Sequence, residues 1–356
     1  MKKLFIAIAT LAAFTACSKM EVQYEQPAEI AISAVSMNRT KAMVSGTTFP
    51  QENFALWAYY KQLPAGTDIE AWQVADAELY PQTTYIDNKE FKPSTTTGLW
   101  SGVIPYFWPK IGSLLFAGYY PVSMKDFVSY EFSSSVNKMT VAGYTPGDYQ
   151  TTGFVNTTGT NHAEDFMYFN MTPSSSDGNT VGKLNSVTSG NQVDVFFRHA
   201  LSWISVVLSE TAGTPEGAKI TVNSITFTDV KTTGTGIVDN SVEDNEINWT
   251  TTDAKTDIVV LNSDVQLGGT AEELEKQPVV IPQEMAMNLN LVVVYTISST
   301  DGSSFQETKT IELSTINSSW EPGKKYTYNI SIGTAEILID PIIVDWAPVG
   351  TSIPIQ

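Results

Sequence analysis

Cys17, the only cysteine of the chain, ends a segment suited to covalent lipid attachment. Met1-Lys2-Lys3 gives a positive start, and Leu4 to Ala13 gives an almost unbroken apolar run. That run is too short to cross a bilayer comfortably as a helix, so it reads as a cleavable signal. Phe14-Thr15-Ala16 then leads into Cys17, with Phe14 where Leu is usual in such signals. This is the shape of a bacterial lipoprotein signal, residues 1–17. Cleavage before Cys17 would leave its thiol and new amine to carry acyl chains. Three chains bury dozens of methylenes at ~0.8 kcal/mol each, which would fix the protein in outer-membrane lipid. The competing reading is an ordinary secretory signal with a chance cysteine at its end.

A second chemistry is peptide-bond cleavage. Only two of the 20 basic residues counted as Lys or Arg are arginines, Arg39 and Arg198. Arg198 is flanked by Phe196, Phe197, Ala200 and Leu201, so it falls in a structured strand. Arg39 precedes the first strong strand at Phe54. An arginine-specific protease acting on the folded protein would therefore find one accessible site. A cut after Arg39 would remove residues 18–39 and free the body from its lipid. Lys41 leaves a lysine-directed cut open, and the plain alternative is that Arg39 is a tolerated polar residue.

Catalytic and metal-binding patterns are scarce. The two histidines, His162 and His199, are far apart. His199, between apolar strands, reads as a hydrogen-bonded structural residue; His162, before Glu164-Asp165, reads as an exposed loop residue rather than a ligand. Asp239, Glu243, Asp244 and Glu246 lack the spacing of a calcium loop and read as a solvated turn. No nucleophile elbow, zinc-helix motif, phosphate loop or paired CxxC occurs, and no carboxylate pair stands out as a glycosidase couple. The expectation is a non-enzymatic protein with no cofactor and no metal. A net charge of −18 argues against nucleic acid and against electrostatic attraction to anionic membranes.

The elements that must position these residues read as strands. Charged residues are 16% of the chain, while Thr, Ser, Val, Ile and aromatics dominate between Gly, Pro, Asn and Asp. Strands are expected over Phe54 to Tyr60 and over Leu114 to Tyr120, ended by Pro121. Val193 to Phe197 and Trp203 to Leu208 are expected to form a pair around His199-Ala200. Ile220 to Thr228, Lys309 to Leu313 and Tyr326 to Ile332 follow, and Leu289 to Ile297 looks buried on both faces. The only helical hint is Ala271 to Lys276. Lacking disulfides, the exported chain must build large cores, and its length allows roughly two domains. Pro173 to Gln192, almost wholly Ser, Gly, Asn, Thr and Asp, is the expected boundary; the alternative is a long hairpin loop with the boundary nearer Gly213-Thr214-Pro215. The fold class is all-β, two tandem β-sandwiches over 40–190 and 191–336.

Both ends of the mature chain look like strands. Ile30, Ile32 and Ala34 alternate with Ala31, Ser33 and Val35. If residues 18–39 pack into the first sandwich, their removal leaves an apolar groove with unpaired edges, which demands a partner strand. The tail 337–356 offers one. Ile337, Ile339 and Ile343 lie in a β-forming run broken by Pro341, so this is an edge or addition strand.

Several stretches together carry a family resemblance. They are Arg39-Thr40-Lys41-Ala42, Thr47-Thr48-Phe49-Pro50 and Phe54-Ala55-Leu56-Trp57-Ala58-Tyr59-Tyr60. Trp108-Pro109 leads to Phe116-Ala117-Gly118-Tyr119-Tyr120-Pro121, and Val195-Phe196-Phe197-Arg198-His199-Ala200-Leu201-Ser202 follows. Ile281-Pro282-Gln283, Trp320-Glu321-Pro322-Gly323-Lys324-Lys325-Tyr326-Thr327-Tyr328 and Val344-Asp345-Trp346 complete the set. In this order they resemble the fimbrillins, the lipoprotein-derived type V pilus subunits of Bacteroidetes. The resemblance implies two transthyretin-like β-sandwiches, lipoprotein export and removal of the first strand after an arginine, here Arg39. It further implies polymerisation with other pilin subunits by donor-strand exchange, and a place on the outer membrane and in the fimbrium. Arg39 and the extended tail favour a stalk subunit over an anchor or a tip. Two other readings stand beside it. One is a surface glycan-binding lipoprotein using its eight Trp and 15 Tyr as stacking platforms, although most of these lie on strand-like segments. The other is an envelope hydrolase on a β-sandwich.

Overall fold

The computed structural model describes residues 28–36, 49, 51–61, 83–96, 98–109, 113–132, 136–146, 165–170, 192–212, 214–239, 246–286 and 288–346. Alternation sets the local structure. The run Tyr326, Tyr328, Ile330 and Ile332 is buried while the residues between are half-exposed, which is the two-residue period of a strand with one face on a core.

The first body is a seven-stranded sheet closed on itself. Its strands are β1 (Ala31–Ser36), β2 (Phe54–Lys61), β3 (Thr83–Pro93), β4 (Leu99–Gly102), β5 (Ser113–Tyr120), β8 (Met167–Asn170) and β9 (Gln192–His199). Their spatial order is β1-β4-β3-β2-β5-β8-β9, and β1 closes the ring by pairing with both β4 and β9. A second sheet, β13-β12-β7-β6, covers it; these are β6 (Val128–Phe132), β7 (Asn137–Tyr144), β12 (Gly234–Asp239) and β13 (Asn248–Thr251). Rings of β6 meet rings of β2: Tyr130 lies 5.7 Å from Trp57, and Phe132 lies 4.8 Å from Tyr59. Within the closed sheet, Gly118 of β5 leaves room for its neighbours on β8 and β2, since a Cβ there would fall 2.4 Å from the Phe169 ring and 2.7 Å from the Ala55 carbonyl.

The second body is a sandwich of two sheets. One holds β10 (Ser202–Glu210), β16 (Glu272–Glu273), β17 (Val279–Val280), β22 (Lys324–Ile332) and β23 (Ile337–Asp345). The other holds β11 (Lys219–Lys231), β14 (Lys255–Leu261), β15 (Val265–Gln266), β19 (Asn290–Ser298) and β20 (Ser304–Glu312). A two-stranded ribbon, β18 (Gln283–Glu284) with β21 (Ser319–Trp320), lies beside them. Val206, Leu208, Tyr328 and Ile330 share the second core with Val222, Phe227, Leu291 and Val293. The core passes from one body to the other along β10, where Trp203 belongs to the first core and Ile204 to the second. Apart from two short 3₁₀ turns the described residues form strands and loops, so the all-β sandwich expectation holds.

Three local expectations are corrected. β9 and β10 do not pair with each other: β9 runs parallel to β1, and β10 runs parallel to β22 in the other body. Ala271 to Lys276 forms no helix, because Glu272 and Glu273 pair with Leu208 and Val207 of β10. β19 buries Leu291, Val293 and Tyr295 but only half-buries Val292 and Val294, since one face meets the core and the other is half-open. The Ser-rich stretch lies outside the described residues up to Asn191, and its flanking strands β8 and β9 pair antiparallel within the first sheet.

Candidate functional site

The feature of the first body that invites function is the slot filled by β1. Ile30 and Ile32 are fully buried, Ala34 nearly so, while Ala31 and Ser33 are half-exposed. Burying the two isoleucine side chains contributes roughly 3–6 kcal/mol to holding the strand in place. Both backbone edges are used. Against β4, Ala31, Ile32 and Ser33 pair antiparallel with Ser101, Trp100 and Leu99. Against β9, Ala31 to Ser36 pair in parallel with Gln192 to Phe197. The ladder continues beyond β1: Ile30 N–H donates to the Tyr106 carbonyl (2.8 Å), Trp108 N–H donates to the Ala28 carbonyl (2.9 Å), and Glu29 bridges to Phe107. Residues 28–36 are thus held along at least one edge, and Ala31, Ile32 and Ser33 along both.

Aromatic rings line the core near this slot. Phe49 stacks on Phe197 at 4.2 Å and meets Phe54, Trp100 and Tyr120 edge-on. Glu52 fixes two of these rings: its carbonyl accepts Trp100 Nε1–H (2.9 Å), and its carboxylate accepts the Tyr120 hydroxyl (2.8 Å). Burial, and then the neighbouring Glu52 carboxylate, push the Tyr120 phenol well above its usual range, so it remains a neutral donor.

The residues singled out from sequence fall in different places. Cys17, Arg39, Lys41 and His162 lie outside the described residues; in the sequence Arg39 comes three positions after the end of β1. Arg198 is half-buried on β9, beside the Tyr168 hydroxyl. His199 is a buried structural residue: its Nδ1 lies 2.9 Å from Asp165. Ile337, Ile339 and Ile343 all lie on β23, the edge strand, opposite Ile332, Ile330 and Tyr326 of β22. Ile337 and Ile339 pack against the second core, whereas Ile343 is exposed, so the structure does not bring the three together with β1 within one subunit.

Two parts of the site had no role assigned to them from the sequence. The loop between β4 and β5 holds residues 28–30, and its signal was the apolar run Val103 to Trp108 between Gly102 and Pro109. Trp346 pins the end of β23: its ring stacks on His199 at 4.3 Å and 7°, and its backbone N–H donates to the Gly323 carbonyl (2.8 Å). Six tryptophans, Trp57, Trp100, Trp108, Trp203, Trp320 and Trp346, are buried, and the half-buried Trp249 donates its indole N–H to the Ala200 carbonyl (2.7 Å). Among the described residues no group of three or more His, Cys, Asp or Glu side chains is placed to hold a metal ion, and no helix is long and apolar enough to cross a membrane.

Comparison with known proteins adds the family. A fimbrial protein from Bacteroides vulgatus superposes with a TM-score of 0.60 at 14% identity, covering 90% of this chain and 100% of that one, which shows a shared fold. A C-terminally truncated form of the tip fimbrial protein Mfa3 from Porphyromonas gingivalis aligns over 89% of this chain and 100% of its own, at 9% identity and a TM-score of 0.34. No curated protein matches the chain. The model of the fimbrillin-like family matches residues 58–346. The chain therefore belongs to the fimbrillin-like family: it is a structural subunit of a cell-surface fimbrium and not an enzyme.

Proposed function

We propose that this subunit polymerises by exchanging β1 for a strand of the next copy. Cys17 anchors the precursor in the outer membrane through its acyl chains. An arginine-specific protease then hydrolyses the Arg39–Thr40 bond, and residues 18–39 leave together with the acylated Cys17. The vacated slot exposes its apolar lining and two unpaired backbone edges, which favour capture of another strand. The donor is the tail 337–356 of a second copy, in which Ile337, Ile339 and Ile343 begin an apolar alternation that Val349, Ile353 and Ile355 continue. That alternation has the period of Ile30, Ile32 and Ala34.

One observation carries this reading: the strand that closes the first sheet is the one lying just before Arg39 in sequence. A cut there removes a whole element and leaves the other six strands of the sheet in place. The test is mild trypsin treatment of residues 18–356, with N-terminal sequencing and size-exclusion chromatography. A new N-terminus at Thr40 together with a shift to large species is expected. A cut at Arg39 without assembly overturns the proposal. Deleting 337–356 is expected to abolish polymers, and the shorter deletion of 347–356, which spares β23 and Trp346, isolates the part beyond the second body.

A further inference from the structure

Among the described residues a cleft separate from the β1 slot opens at the seam between the two bodies. β13 of the first body forms one wall, and the ribbon of β18 and β21 forms the other. Its volume is about 410 Å³, within the range of small-molecule sites.

Both walls are fixed. The Gln283 side chain clamps the ribbon to the end of β11: its amide oxygen accepts the Lys231 N–H (3.0 Å), and its NH₂ group donates to the Lys231 carbonyl (3.1 Å). On the other wall the Trp249 indole lies over β12, where a Cβ on Gly236 or Gly234 would fall 3.1 or 3.4 Å from the ring. The two glycines leave room for the ring, and the bond from its N–H to the Ala200 carbonyl sets its orientation. Of the described tryptophans this one alone is not buried, and it lines the cleft. A tryptophan ordered in advance yet left partly in water offers a stacking face at little further entropic cost.

The rest of the lining decides what stacks there. Glu246, Glu284, Ser319 and Glu321 border the cleft and no basic residue does, so anions, acidic sugars included, are disfavoured. The acidic side chains are not grouped to hold a metal ion, and Glu284 and Glu321 are exposed, where water and salt weaken their attraction for any cation. Carboxylate and hydroxyl oxygens beside a tryptophan suit a molecule with many O–H donors and an apolar C–H face, which describes an uncharged sugar ring.

We propose that the cleft binds an uncharged glycan, one sugar ring of which stacks on Trp249. This goes beyond the strand-exchange reading and does not depend on it, because β1 does not line the cleft and its removal leaves both walls in place. Titration calorimetry of residues 18–356 tests it, with maltotriose, cellotriose, mannotriose and triacetylchitotriose as uncharged probes and sialyllactose and spermidine as charged ones. At least one uncharged trisaccharide is expected to bind, and more tightly than either charged probe. Trp249→Ala is expected to weaken that binding about tenfold or more, and Trp249→Phe, which keeps a ring, far less. Ser319→Arg, a change on the half-exposed rim, is expected to block the cleft as well, so the test stands even if the alanine variant does not fold. Binding of none of the uncharged probes, tighter binding of spermidine, or sugar binding that survives Ser319→Arg or a folded Trp249→Ala overturns the proposal.

Discussion

Tyr168 shows how a single residue ties distant parts of the first body together. It lies on β8, and its hydroxyl accepts the Ile247 N–H (2.8 Å) at the entry to β13, with Arg198 beside it. Burial pushes its phenol up to about 12, against the lowering effect of the Arg198 charge. In the unfolded chain the phenol ionises near its ordinary value of about 10, so between there and about 12 only the unfolded state loses its proton. Stability therefore falls as pH rises through that window, by roughly 2–3 kcal/mol at its upper end for this residue. Tyr168→Phe is expected to lower stability at neutral pH, because the Ile247 N–H loses its acceptor, yet to flatten the alkaline slope measured by urea unfolding. An unchanged slope would show that the phenol is not shielded. This role was not legible in sequence, where nothing distinguishes Tyr168 from its aromatic neighbours. His199 was legible as a structural residue because apolar strands flank it, but its Asp165 and Trp346 partners lie 34 residues before it and far after it.

At the level of elements, strands with strict alternation or dense aromatics were readable one by one: β2, β5, β11 and β22 fall where their residue patterns put them. Pairing was not. Nothing local says that β9 takes β1 in parallel, or that β12 pairs with β7 from nearly 100 positions later, because such choices are settled by long-range packing. β1 itself was readable as an apolar strand, while its two neighbours were not. The element makes its own prediction. Ile32→Ala is expected to cost the uncleaved chain about 2–5 kcal/mol by leaving a cavity. It should have no effect on the stability of material cut after Arg39, because the strand has gone. Urea unfolding of both forms is the measurement, and an equal loss in both would mean that β1 stays bound after the cut.

The whole molecule carries a net charge of −18, so copies repel one another before any apolar patch can touch. Salt shortens that repulsion to about 10 Å at 0.1 M. Assembly of nicked subunits, followed by light scattering, is therefore expected to speed up as salt rises; slowing would point to attraction between opposite charges at the joint instead. The two-edged pairing of the β1 slot has a mechanical consequence. Its backbone bonds lie across the strand, so tension along the strand shears them all at once, whereas peeling from one end breaks them in turn. A fibre joined at such slots would yield far less readily to a pull along its axis than to a sideways tug, an asymmetry suited to an appendage in flowing liquid.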